Sequence, residues 1–119
     1  MLTALLISTA LAAEQTPESA PSSRVCEVGP ITRSYGGSEW LVYSCDDEHT
    51  LVFVSAPGSP AMPFVFMSFP EGEGYRLYGE GNGSQDATRP AYEVLSQMTE
   101  ADRNALLAET RAVTSTSPR

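Results

Sequence analysis

The sequence predicts an α+β domain in which an antiparallel sheet of about five strands is followed by two C-terminal helices packed on one face. Three observations point there. From Val25 to Glu80 the apolar residues fall in short strand-like runs. The breaks between them are brief and turn-forming: Asp46-Asp47-Glu48-His49, Pro57-Gly58-Ser59-Pro60 and Pro70-Glu71-Gly72-Glu73-Gly74. Such lengths join antiparallel neighbours, whereas parallel strands need a long crossover. After Thr88 the apolar period lengthens to that of a helix.

The strands are expected at 25–28, 39–45, 50–56, 63–69 and 74–80. If residues 24–33 and 38–47 pair as a hairpin around Ser34-Tyr35-Gly36-Gly37, partner numbers sum to 71, and Cys26 falls opposite Cys45. Opposed positions of an antiparallel pair lie within disulfide reach, so the two cysteines are expected to be bonded. Pro30 shares the parity of Cys26 and lacks an N–H, which makes the first strand a sheet edge. The runs 50–56 and 63–69 are apolar on both faces, as with Leu51 and Phe53 against Val52 and Val54, and are expected to be central and covered on both sides. Trp40 reads as core.

Arg89-Pro90 can open the first helix with Pro in its first turn, and Ala91, Leu95 and Met98 recur at helical spacing. Thr99 is an N-cap candidate with Asp102 three residues on, a variant of the capping box. A second helix then runs to about Arg111, with Ala101, Ala105, Leu106 and Ala108 expected on one side.

Ahead of this domain, Leu2 to Ala13 carries no charge and ends in small residues, the pattern of a signal peptide cleaved near Ala12. The expected organisation is a signal peptide at 1–12, a flexible polar leader at 13–23, the domain at 24–113 and a disordered tail at 114–119. Export to the periplasm or the medium follows, and it agrees with a paired use of the two cysteines. No span is expected in the mature chain, because no later run approaches the roughly 20 apolar residues a membrane requires.

The chain has 119 residues, with 7 basic against 15 acidic side chains and a net charge of −8, a surface that repels nucleic acid. All the basic residues are Arg, and they are scattered. The sequence lacks Gly-x-Ser-x-Gly, His-Glu-x-x-His and any unpaired cysteine, so neither a catalytic residue, a metal nor a cofactor is assigned. Asp46-Asp47-Glu48-His49 gathers carboxylates with the sole His, yet its spacing is that of a turn. Gly79-Glu80-Gly81-Asn82-Gly83 departs from the phosphate-binding pattern and places an acid where an anion would sit.

Rigid aromatic area beside adaptable main chain is the remaining basis for a site. It selects Tyr35, expected on an exposed hairpin tip, and Glu80 and Asn82 in the glycine-rich connection. The expected role is non-catalytic binding of an envelope protein or small ligand by a monomer. Tyr43-Ser44-Cys45-Asp46-Asp47, followed by Leu51 and Phe53, resembles the membrane-bound lysozyme inhibitors, small exported β-barrels with a Tyr-x-Cys-Asp turn into a hydrophobic strand. The resemblance implies inhibition of an envelope hydrolase as an alternative, and a small hydrolase is a further one. It runs only from Tyr43 to Phe53; the family's Ser-Gly-rich inhibitory loop has no counterpart, and the cysteine partner here lies upstream.

The oxidised protein is expected to show no titratable thiol. Cys26→Ala should expose one at Cys45 and lower stability by about 3 kcal/mol, the cost of releasing a loop of this size; thiol titration and thermal melting read both effects.

Overall fold

A computed structural model describes residues 25–116. The proposed signal peptide, the leader and the last three residues lie outside the described residues. Five strands, β1 (Val28–Tyr35), β2 (Ser38–Ser44), β3 (Leu51–Ser55), β4 (Phe64–Glu71) and β5 (Gly74–Gly81), form an antiparallel sheet in sequential order, followed by α1 (Gln85–Leu95) and α2 (Glu100–Thr116). This is the expected α+β arrangement, with β1 at an edge.

Cys26 and Cys45 are bonded, but the hairpin reaches that pairing by another route. Ser34 and Tyr35 continue the strand opposite Glu39 and Ser38, leaving a two-residue turn of Gly36 and Gly37, both at positive φ. Partner numbers near the turn therefore sum to 73. A bulge between Val28 and Ile31 brings the sum to 72 at Val28↔Ser44, one step from the 71 of the cysteines. Gly29, at φ 112°, sits in that bulge with Pro30, which needs no ladder partner there.

Trp40, Val42, Leu51, Phe53 and Phe66 share one sheet face and are buried against Ala87, Ala91 and Leu95 of α1 and Leu106 and Leu107 of α2. Trp40 lies 5.2 Å from Phe66 between ring centroids, and its indole N–H donates to Ser38 Oγ at 3.0 Å. Both helices lie on this face. Coverage of β3 and β4 on both sides is corrected in one respect: no helix lies on the opposite face, where Val52 is buried and Leu41, Val54, Val65 and Met67 are half-buried. Their shielding comes from neighbouring side chains across the strands.

α1 begins five residues before Pro90. Ser84 is its N-cap, accepting from the Asp86 N–H at 3.2 Å, and Pro90 lies inside the helix. Pro90 and Ala91 pack on the β1–β2 turn, where a Cβ on Gly36 would lie 2.5 Å from Pro90 C and Ala91 N. The Thr99 cap is as read: Asp102 N–H donates to Thr99 Oγ1 at 3.1 Å, and Thr99 N–H donates to Asp102 Oδ2 at 3.0 Å.

The expected buried side of α2 is corrected. Ala101, Ala105 and Ala108 are exposed, and the buried positions are Arg103, Leu106, Leu107 and Thr110. The two polar members enter the core with their groups partnered except for Arg103 Nε, which is buried without a hydrogen bond. Thr110 donates to the carbonyls of its own helix, at 3.0 Å from Leu106 and 2.9 Å from Leu107, and so accepts from Ser44 Oγ at 2.7 Å. Arg103 donates to Ser68 Oγ, and its guanidinium lies 3.5 Å from the centroid of the Tyr75 ring. Glu109 pairs with Arg33 of β1. α2 also runs past the expected start of the tail at 114, with Thr114 Oγ1 accepting from the Gly29 N–H at 2.6 Å.

Thr99→Ala should cost about 1 kcal/mol of unfolding free energy, a typical loss for an N-cap. Chemical denaturation of Thr99→Ala, Asp102→Ala and the double variant should show the double variant losing less than the sum of the two single losses, because each removes half of one reciprocal motif.

Candidate functional site

An antiparallel meander places the C-terminal ends of β1, β3 and β5 beside the N-terminal ends of β2 and β4. Tyr35, the 56–63 connection and Asn82 therefore share one end of the sheet. α1 crosses that end. It starts beside the 60–63 segment, where Ser84 N–H donates to Pro60 O at 3.3 Å, and it reaches the β1–β2 turn at Pro90. A cleft opens on each side of it.

The larger cleft, of about 580 Å³, lies between α1 and the ends of β4 and β5. Its floor is aromatic: Phe64 and Phe66 lie 4.8 Å apart between centroids, and Tyr92 of α1 stands 6.1 Å from Phe66. Tyr92 is exposed and Phe64 half-buried, whereas Phe66 is buried; β5 presents Gly79 and Gly81 on this face, so the Phe64 and Phe66 rings lie directly against its main chain. A Cβ on Gly79 would lie 2.8 Å from Phe66 and 2.9 Å from Phe64. Asn82, Gln85 and Arg89 supply polar groups at the rim, with Arg89 Nη2 donating to Gln85 Oε1 at 3.3 Å. Arg89 is the one charged side chain in the lining. Such a site offers ring faces for an apolar or ring-shaped group and a guanidinium with two amides for its acceptors.

The connection holding Asn82 is fixed by its own main chain. The N–H groups of Asn82 and Gly83 both donate to Pro63 O at 3.0 Å, and a Cβ at Gly83 would collide with Ala61 O. The expected adaptable loop is thereby corrected to a strand end followed by a pinned turn. Glu80 belongs to β5 opposite Val65, on the sheet face away from the cleft, and accepts from the Tyr78 hydroxyl at 3.1 Å. It is not brought together with Asn82. Phe64, Phe66, Gln85 and Arg89 were not singled out from sequence; the alternation of Gly79, Gly81 and Gly83 was the signal for a face without side chains.

Tyr35 lines the smaller cleft, of about 310 Å³, with Arg33, Leu95, Met98, Asp102 and Leu106. It is half-buried rather than exposed at a tip, and its ring meets Phe53 edge-on at 5.6 Å. Burial raises the phenol above the ordinary tyrosine value, with Asp102 adding to the rise and Arg33 opposing it.

The acidic turn and the sole His lie at the other end of the sheet. Asp47 Oδ1 accepts from the N–H groups of His49 and Thr50, both at 2.9 Å, which closes the turn. Among the described residues no group of three or more His, Cys, Asp and Glu side chains is arranged to hold a metal ion. No family model, curated protein or solved structure matches the chain.

A tyrosine value raised by folding stabilises the fold fully below the unfolded value of 10.0, and that contribution is lost as pH rises through the folded value. Tyr35→Phe should remove one late-titrating phenol from an ultraviolet titration and slow the loss of stability above pH 10. Tyr78, raised by its hydrogen bond to Glu80, should still titrate late in that variant.

Proposed function

We propose that this protein is an exported binding module that acts in the cell envelope without catalysis, and that the cleft between β5 and α1 receives its ligand. The observation that carries this reading is the exposed ring of Tyr92 and the half-buried ring of Phe64 set about the buried Phe66 and framed by Asn82, Gln85 and Arg89. Buried aromatic area in a walled cleft with few convergent polar groups is the usual composition of a binding site. The floor is rigid, since Trp40 backs Phe66 from inside the core and the rim turn is pinned to Pro63. Ordering on binding is correspondingly small.

The disulfide supports an oxidising compartment. None of the described helices is long and apolar enough to cross a membrane. His49 sits at the end of the sheet away from the cleft, so the imidazole a hydrolase would use as its base is not beside the pocket. The ligand that fits best joins an apolar ring or chain to a hydrogen-bond acceptor or anionic group directed at Arg89.

Two measurements test the reading. Mass spectrometry of the envelope fraction should find a chain beginning at Ala13; recovery only of uncleaved chain in the cytosol would remove the export half. Ligands retained from an envelope extract should be lost about tenfold or more with Arg89→Ala and with Tyr92→Ala, typical of hot-spot truncations. Glu80→Ala, on the far face, should retain them. Equal retention by all three variants, each folded by circular dichroism, would place the site elsewhere.

A further inference from the structure

The two edges of the sheet are finished differently. β1 is broken by the bulge at Gly29-Pro30 and packed by α2, two devices that block a further strand. β5 has neither. It pairs with β4 through eight unbroken positions, holds no proline, and is exposed along nearly its whole length.

Gly72 and Glu73 make a two-residue turn with Gly72 at φ 61°, so Glu71 and Gly74 are a hydrogen-bonded pair. Alternation then turns the main-chain groups of Gly74, Arg76, Tyr78 and Glu80 toward β4, and those of Tyr75, Leu77, Gly79 and Gly81 outward. A strand added to this edge must meet the outward set.

We propose that the protein self-associates through β5, two copies joining antiparallel edge to edge so that Arg76 of each lies opposite Glu80 of the other. Outward residues can pair only with outward residues, which limits a symmetric β5 pair to registers centred on single residues. Centred on Tyr78, the register sets Arg76 against Glu80 twice. It also places Leu77 opposite Gly79, so that each side chain on the helix-bearing face meets a position without one. Centring on Leu77 sets Arg76 against Tyr78, and centring on Gly79 sets it against Asn82; neither pairs the charges. In the Tyr78 register the charged pairs fall at non-hydrogen-bonded positions, where side chains approach most closely. Within one copy Arg76 is 3.7 Å from Glu71, with both side chains more than half exposed, a contact too weakly held in water to compete.

Charge reversal tests the register on the full oxidised chain. Sedimentation equilibrium should give twice the chain mass for the wild type. R76E and E80R each set like charges opposite one another at both positions and should weaken the dimer about tenfold or more. The double variant R76E/E80R should restore it, and an equimolar mixture of R76E with E80R should form a mixed dimer, since opposite charges then face each other throughout. A wild type that remains monomeric up to its solubility limit would overturn the proposal. So would a dimer indifferent to both reversals, which would point to the helix-free sheet face instead, or single variants that dissociate and are not rescued in combination. Circular dichroism and thiol titration identify a misfolded variant, and the mixed-dimer arm keeps the test decisive if the double variant does not fold.

Discussion

The position of β1 on β2 is fixed at two points, the Gly36-Gly37 turn and the Cys26–Cys45 bond, and the bulge at Gly29-Pro30 reconciles them. Much of the remaining structure depends on that bulge. A Cβ on Gly29 would lie 3.0 Å from Val42 O and 3.3 Å from Thr110 Cγ2, so the missing side chain lets α2 sit directly against the hairpin. Thr110 and Thr114 then hold the helix there through Ser44 and the Gly29 N–H. With α2 seated, Leu106 and Leu107 cover the aromatic layer formed by Trp40, Phe53 and Phe66. The disulfide therefore acts beyond the loop it closes: it holds the bulged end of β1 in the place where the helix docks.

α1 performs the corresponding task at the other end of the sheet. It is tied at its start to the 60–63 segment and pressed at Pro90 and Ala91 against Gly36. A helix held at both ends of a span keeps its distance from the sheet edge, and the missing side chains at Gly79 and Gly81 leave a cleft rather than a filled contact. Site and fold are thus set by the same few glycines, and each is needed for what it lacks.

The last four strands, the disulfide, the edge position of β1 and the Thr99 cap were legible because each depends on local chemistry: alternation, turn residues, cysteine count and a hydroxyl three residues from a carboxylate; the first strand, expected at 25–28, instead runs Val28–Tyr35. What was not legible depended on contacts between distant segments. Pro90 is common in a first helical turn, so it drew the predicted start of α1 past Ser84, yet the helix accepts it where it packs on Gly36. Small apolar side chains suggest an alanine face for α2, but Arg103 and Thr110 are buried instead, Thr110 bonded to Ser44 and Arg103 held by Ser68 and Tyr75 with its Nε left unpaired. Asn82 was singled out and lies in the cleft, whereas the rings forming its floor read as ordinary core. Only the register of β5 on β4 reveals that Gly79 faces Phe66 and Gly81 faces Phe64.

The glycines of β5 connect the cleft with assembly. On an ordinary edge strand the side chains on the core-bearing face would cover the rings of the neighbouring strand and crowd any strand added outside. β5 alternates Leu77 with Gly79 and Gly81 on that face, while Arg76, Tyr78 and Glu80 occupy the other. In the paired arrangement Leu77 of the second copy lies across from Gly79, at the border of the Phe64 and Phe66 floor. A chain carrying a net charge of −8 repels its own copy at a distance, so whatever joins two copies must act locally, as the proposed pairing of Arg76 with Glu80 would at the edge that the described residues leave open.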